Sequence, residues 1–232
     1  MINKIVSSTA AAVAGIRDGA TVMIGGFGTA GMPSELIDAL IDEGARDLTI
    51  VNNNAGNGDI GLAALLKAKR VRKIICSFPR QTDSHVFDAL YRAGEIDLEL
   101  VPQGNLAERI RAAGAGIGAF FTPTGFGTLL AEGKETRVID GRHYVLEHPI
   151  HADFALIKAD RGDRWGNLVY RKTARNFGPI MASAAKCAIA QVREVVELGG
   201  LDAENIVTPG IFVQRIVAID VPAADARPKA AA

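Results

Sequence analysis

Four segments hold the backbone and side chains best able to do chemistry. The first, Gly25-Gly26-Phe27-Gly28-Thr29-Ala30-Gly31, stands just before Pro33. Glycines let backbone approach a ligand closely, and a helix opening at Pro33 would turn free N–H groups and the positive end of its dipole toward the loop, favouring an anion. Gly26 to Gly31 also satisfies the dinucleotide-binding spacing G-x-G-x-x-G. That reading requires an acid at the end of the next strand, where Val51-Asn52-Asn53-Asn54 stands instead, while Asp47 precedes the strand. A loop that merely packs strand on helix is the plain alternative.

The second segment, Asn52-Asn53-Asn54-Ala55-Gly56-Asn57-Gly58, is dense in amides. Asn53 and Asn54 could bind carbonyl or carboxylate oxygens, although Asn and Gly also make ordinary turns. In the third, Pro102-Gln103-Gly104-Asn105, Gln103 would sit at the mouth of the same cleft; in the fourth, Ser77-Phe78-Pro79-Arg80-Gln81, Arg80 could pair with a ligand anion or with a surface carboxylate. Several other chemistries are not signalled. There is no G-x-S-x-G elbow and no lysine-bearing P-loop, and His143, His148 and His151 form no metal-ligand spacing. Glu108, Glu132 and Glu147 are candidate carboxylate nucleophiles, each with a plainer role as a cap or on a solvated face.

The elements that must position these loops follow from periodicity. From Ala20 to about Thr122, short β-branched runs alternate with helical periods, which predicts an α/β fold with a mostly parallel sheet flanked by helices. Strands are expected at Thr21–Ile24, Leu48–Val51, Lys73–Cys76 and Leu98–Val101. Helices are expected from Pro33 to Gly44, around Leu62–Leu66, around Val86–Tyr91 with a stop at Gly94, and over Leu106–Ala113. Asn105 and Glu108 read as a reciprocal cap for the last of these. Beyond it the pattern becomes mixed: a hairpin turning at Asp140-Gly141, a strand at Asp153–Ile157, a small-residue helix over Ile180–Lys186 after Gly178-Pro179, and a last strand at Phe212–Ile219. One domain is expected over residues 1–220, with an Ala- and Pro-rich disordered tail from Val221.

Composition narrows the partners. The 232 residues can bury a full core, and 48% hydrophobic with 22% charged residues is ordinary for a globular protein. Lys+Arg and Asp+Glu balance at 26 each, and no local basic patch stands out, so neither nucleic acid nor an anionic membrane is an expected partner. Cys76 and Cys187, far apart in apolar runs, read as core thiols. Met1-Ile2-Asn3-Lys4 does not open a signal peptide and no apolar run reaches spanning length, so a cytoplasmic location is expected.

The run Asp18-Gly19-Ala20-Thr21-Val22-Met23-Ile24-Gly25-Gly26-Phe27-Gly28-Thr29-Ala30-Gly31-Met32-Pro33 resembles the signature of the A subunits of 3-oxoacid CoA-transferases. The likeness continues through Ser34-Glu35-Leu36-Ile37, Asn53-Asn54-Ala55-Gly56, Pro102 to Arg111, Thr124 to Leu129, Asp153-Phe154-Ala155-Leu156 and Ala174-Arg175-Asn176-Phe177, and it is nearest to the 3-oxoadipate-using members of aromatic-compound catabolism. The resemblance implies transfer of CoA from succinyl-CoA to a 3-oxoacid, 3-oxoadipate first and acetoacetate second, through a glutamyl-CoA thioester. It places the glutamate on a separate B subunit, in a Ser-Glu-Asn-Gly segment that this chain lacks. A heterodimer or heterotetramer follows, with CoA thioesters as substrates and no permanently bound cofactor or metal. The resemblance also implies that Gln103 is the family's active-site glutamine and that the Gly25–Gly31 backbone holds CoA or an oxyanion; Asn53 and Asn54 would face substrate. Arg80 is expected to pair with the distal carboxylate of a dicarboxylic 3-oxoacid. Two other readings are a nicotinamide-dependent oxidoreductase and a CoA-binding regulator without turnover.

Overall fold

The computed structural model describes residues 2–219. Helix α1 (Thr9–Val13) leads to β1 (Thr21–Ile24), and the chain then alternates α2 (Ser34–Glu43), β2 (Leu48–Val51), α3 (Leu62–Lys67), β3 (Val71–Cys76), α4 (His85–Arg92), β4 (Asp97–Leu100) and α5 (Gln103–Gly114). A small antiparallel sheet follows, with β5 (Phe120–Thr122), β6 (Thr136–Ile139) and β7 (Arg142–Glu147) in the order β5-β7-β6. The chain returns through β8 (Ala152–Asp163), β9 (Leu168–Val169), α6 (Gly178–Ala184), β10 (Ala185–Val196) and β11 (Arg215–Ala218). The main sheet runs β11-β10-β8-β1-β2-β3-β4 with every neighbouring pair parallel, and β9 folds back antiparallel on β8.

Burial on both faces of β1 explains the layers. Val22 and Ile24 point to one face, where they pack with Leu36, Leu40, Leu65 and Phe87 of α2, α3 and α4; Met23 points to the other, against Leu106 and Ile110 of α5 and Met181 of α6. Right-handed crossovers put successive helices on one face while the strand order moves one way and on the opposite face when it reverses. The reversal lies between β1 and β8, the position at which sheets of this kind open a crevice outside their carboxyl ends.

The expected strands at β1 and β2 match residue for residue, and helix α2 does end at Gly44, which takes the left-handed φ of 89°. Several boundaries differ, for physical reasons. Pro33 caps α2 rather than opening it, since its ψ of 67° is not helical. Helix α5 starts at Gln103, three residues early, directly after the extended Pro102. Asn105 and Glu108 therefore form no reciprocal cap: Asn105 is buried with its amide on Glu147 and the Thr124 carbonyl, and Glu108 pairs with Arg111. The small-residue helix runs over Gly178–Ala184 and turns straight into β10, a strand that local pattern does not signal because alanines dilute its β-branched residues. Pairing along β8 imposes the strand. The C-terminal half thus contributes three parallel strands to the main sheet, and its antiparallel pairing is found in β5-β7-β6, in β8-β9 and in a bridge between Leu168 and Thr208. Cys76 is buried as expected, whereas Cys187 is only half-buried. The tail predicted from Val221 lies outside the described residues.

Candidate active site at the carboxyl edge of the sheet

The loops after β1, β2, β3 and β4 meet at one edge. Asn52, at the end of β2, is fully buried; its Nδ2 donates to the Ile24 carbonyl at 2.6 Å and its Oδ1 accepts the Asn54 amide at 2.8 Å. The side chain that would have to meet a ribose in a nicotinamide site is therefore committed to tying β2 to β1. Asn54, 3% exposed, accepts the Gly28 amide at 3.1 Å and donates to the Phe78 carbonyl at 3.2 Å, joining three loops. Asn53, 1% exposed, accepts on Oδ1 from Ser77 Oγ at 2.7 Å and from Gln103 Nε2 at 2.9 Å. Gln103, by contrast, is exposed at the first position of α5. The sequence's Asn53, Asn54 and Gln103 are thus brought together, with the asparagines as the buried frame and Gln103 as the group facing outward.

The glycine loop is more self-contained than its composition suggests. The amides of Gly25, Gly26, Phe27, Gly28 and Ala30 donate to Leu156, Asn176, Ala30, Asn54 and Phe27 respectively, which leaves Thr29 and Gly31 as the loop amides without a partner among the described residues. At the start of α2 the Leu36 amide is taken by the buried Gln191. On one side of the loop, Gly28, Thr29, Met32, Asn54, Ile60 and Gln81 line an apolar cavity of about 100 Å³.

Asn176, quoted in the sequence without a role, clamps the loop from behind, accepting from Gly26 N at 3.1 Å and donating to Ala30 O at 2.9 Å. Gly31 has φ +75°, and a Cβ there would lie 2.4 Å from the Ala174 carbonyl. Gly31→Ala is therefore expected to cost roughly 1–3 kcal/mol from overpacking alone, with left-handed strain added. Urea unfolding of the variant checks this; a midpoint equal to wild type would show that the loop and the Ala174 turn move apart freely.

Electrostatics set the remaining candidates apart. Arg80 is not brought to the cluster by any direct contact: its Nε is in an ion pair with Asp88 of α4 at 2.6 Å, the surface-carboxylate alternative. Glu108 and Glu132 are at the surface, but Glu147 is buried, against the expectation of a solvated face. It lies 2.8 Å from Lys134 Nζ and 3.7 Å from Arg109 Nε, and Arg109 continues to Glu99 at 3.0 Å. Burial alone would push the Glu99 carboxyl up, but hydrogen bonds from Lys73 and Arg109 outweigh it and hold it below the usual range. His143 stacks on Phe126 with ring centroids 4.4 Å apart, and no group of three or more His, Cys, Asp or Glu among the described residues is placed to hold a metal. Burial raises the Cys76 thiol to about 12, so it stays protonated and inert. A basic stretch that overall neutrality masks does exist: residues 164–193 contain six Lys or Arg and no acid. No helix among the described residues is long and apolar enough to cross a membrane.

The chain matches the family model described as Coenzyme A transferase over residues 6–218. It is 76% identical to the A-type subunit of 3-oxoadipate CoA-transferase from Pseudomonas putida, covering 99% of this chain and 100% of that one. It is 53% identical to the A-type subunit of succinyl-CoA:3-ketoacid coenzyme A transferase from Xanthomonas campestris, over 89% of this chain and 85% of the relative. An acyl-CoA transferase from E. coli O157:H7, solved as a thioester complex with CoA, shares the fold with a TM-score of 0.81 at 23% identity, over 94% of this chain and 47% of that one. The sheet order, the glycine loop after β1 and these likenesses converge: the chain belongs to the coenzyme A transferase family.

Proposed function

We propose that this chain is the A half of an enzyme that moves CoA from succinyl-CoA to 3-oxoadipate, with the nucleophilic glutamate supplied by a separate B subunit, the two assembling as a heterodimer or heterotetramer. Gln103 carries the reading: an exposed amide, anchored by the buried Asn53, at a carboxyl edge where no carboxylate among the described residues contacts it. Acyl transfer develops negative charge on the carbonyl oxygen, and a fixed donor aimed at it stabilises that charge more than a mobile one. The amide of the exposed Thr29 is the loop group left to meet the thioester, and the neighbouring apolar cavity suits part of the pantetheine arm. Asn53 and Asn54 act through the positions they enforce on Gln103 and Gly28.

The test is CoA exchange between succinyl-CoA and 3-oxoadipate or acetoacetate, with the chain alone and after assembly with its B subunit. Transfer in the assembled sample alone is expected, with 3-oxoadipate preferred. Turnover by the isolated chain would place the nucleophile here, and a preference for acetoacetate would reassign the acceptor.

A further inference from the structure

The glycine loop has a second side that the proposed chemistry leaves unused. There, Phe27 and Ala30 face Lys172, Thr173, Arg175 and Asn176 across an open cleft of about 620 Å³. The walls are locked together by the two Asn176 hydrogen bonds and by the close approach of Gly31 to Ala174. Of the six cations in residues 164–193, Lys186 and Arg193 pair with Asp153 and Asp160, and Arg164 donates to the Ile2 carbonyl. Arg171, Lys172 and Arg175 remain exposed, and no carboxylate among the described residues pairs with them. Lys172 is held at φ +50°, a backbone conformation unfavourable for a long side chain and kept only where the surroundings enforce it.

We infer that this cleft binds the distal carboxylate of the short diacid, on succinyl-CoA in one half-reaction and on 3-oxoadipate in the other, with Arg175 and Lys172 as its cationic partners. The inference rests on the CoA-transfer reading. Under it, both acyl groups carry a second carboxylate a few bonds from the reacting carbonyl, and a cation without a carboxylate partner of its own is the group that discriminates such acids from monoacids. Arg80, the residue the sequence nominated, has its Nε paired with Asp88, whereas Arg175 and Lys172 have no carboxylate partner among the described residues. Side-chain hydrogen bonds run from Gln103 to Asn53, from Asn53 to Asn54 and from Gly28 to Asn54, and Gly28 is the chain neighbour of Phe27 on the wall of the cleft.

The assembled A and B enzyme with Lys172→Ala and Arg175→Gln together tests this, since both side chains are exposed and neither holds the fold. The KM for succinyl-CoA and for 3-oxoadipate should each rise about 10- to 100-fold, the loss of charge-assisted contacts. Inhibition by free succinate should weaken by a similar factor while inhibition by free CoA stays unchanged. Weakened inhibition by CoA with succinate unaffected would overturn the assignment in favour of the CoA phosphates. Unchanged KM values, or a rise on Arg80→Ala in place of the double variant, would overturn it as well. An assembled wild-type enzyme that transfers no CoA would instead sink the reading beneath it, and the inference with it.

Discussion

Gln103→Ala in the assembled enzyme is expected to lower kcat by about 10²–10³, the usual cost of removing one preorganised oxyanion donor. The expectation follows from how the amide is held. One N–H of Gln103 Nε2 is fixed on Asn53 Oδ1 at 2.9 Å, and Asn53 is itself held by Ser77 Oγ at 2.7 Å and buried to 1% exposure. Because the anchor cannot rotate away, the other N–H and the Oε1 keep their direction while the substrate changes charge, and no reorganisation has to be supplied during the reaction. The effect belongs in kcat, with KM for the thioester little altered, because the developing oxyanion exists only in the transition state. Gln103→Glu keeps the shape and replaces the donor with a like charge, so it should be at least as slow. Steady-state exchange from succinyl-CoA to 3-oxoadipate measures both. A loss below about fivefold in Gln103→Ala would mean that the amide faces solvent and the donor lies elsewhere.

How much of this was legible in the sequence depends on what each residue's signal was. Thr21–Ile24 and Leu48–Val51 are short β-branched runs bounded by glycine and polar loops, and local pattern sufficed to place them. The glycine loop and Asn53 were nominated by their residue types after predicted strands, whereas Gln103, a lone glutamine with no local signature, stood out through the resemblance. What local pattern could not show was where polar groups go in three dimensions. The glycine loop looks like an anion cradle until Asn176, 150 residues away, is seen to take the Gly26 amide. Asn105 looks like a helix cap until β7 delivers Glu147 to it. The cations at Arg171, Lys172 and Arg175 vanish into a neutral total of 26 against 26, and only their lack of partners in space sets them apart. Strand β10 failed for the complementary reason that its register is imposed by β8, not by its own alanines.

Glu147→Ala should destabilise the chain by about 1–3 kcal/mol, the cost of leaving a buried polar partner unsatisfied. The carboxylate is 4% exposed, whereas Lys134 is 33% exposed and Arg109, at 14%, keeps Glu99 at 3.0 Å, so the carboxylate is the most deeply buried member and its loss leaves the two cations partly compensated. It also accepts from Asn105 Nδ2 at 3.2 Å, so its removal strands a buried amide. Glu147→Gln keeps an acceptor for Asn105 while losing the charge, and it should cost less than the alanine variant. Urea unfolding at constant m separates the two from wild type; a shift under about 1 kcal/mol in Glu147→Ala would reduce the network to the worth of an exposed pair. The consequence reaches the site, because Asn105 and Arg109 lie on the first two turns of the helix that Gln103 opens, and Glu147 fixes those turns to the antiparallel sheet. Loosening them lets the Gln103 amide drift from its aim, so Glu147→Gln should lower kcat well below its melting range. If the loss works through that amide, Glu147→Gln added to Gln103→Ala should cost no further kcat, whereas additive losses would mean that Glu147 only holds the fold.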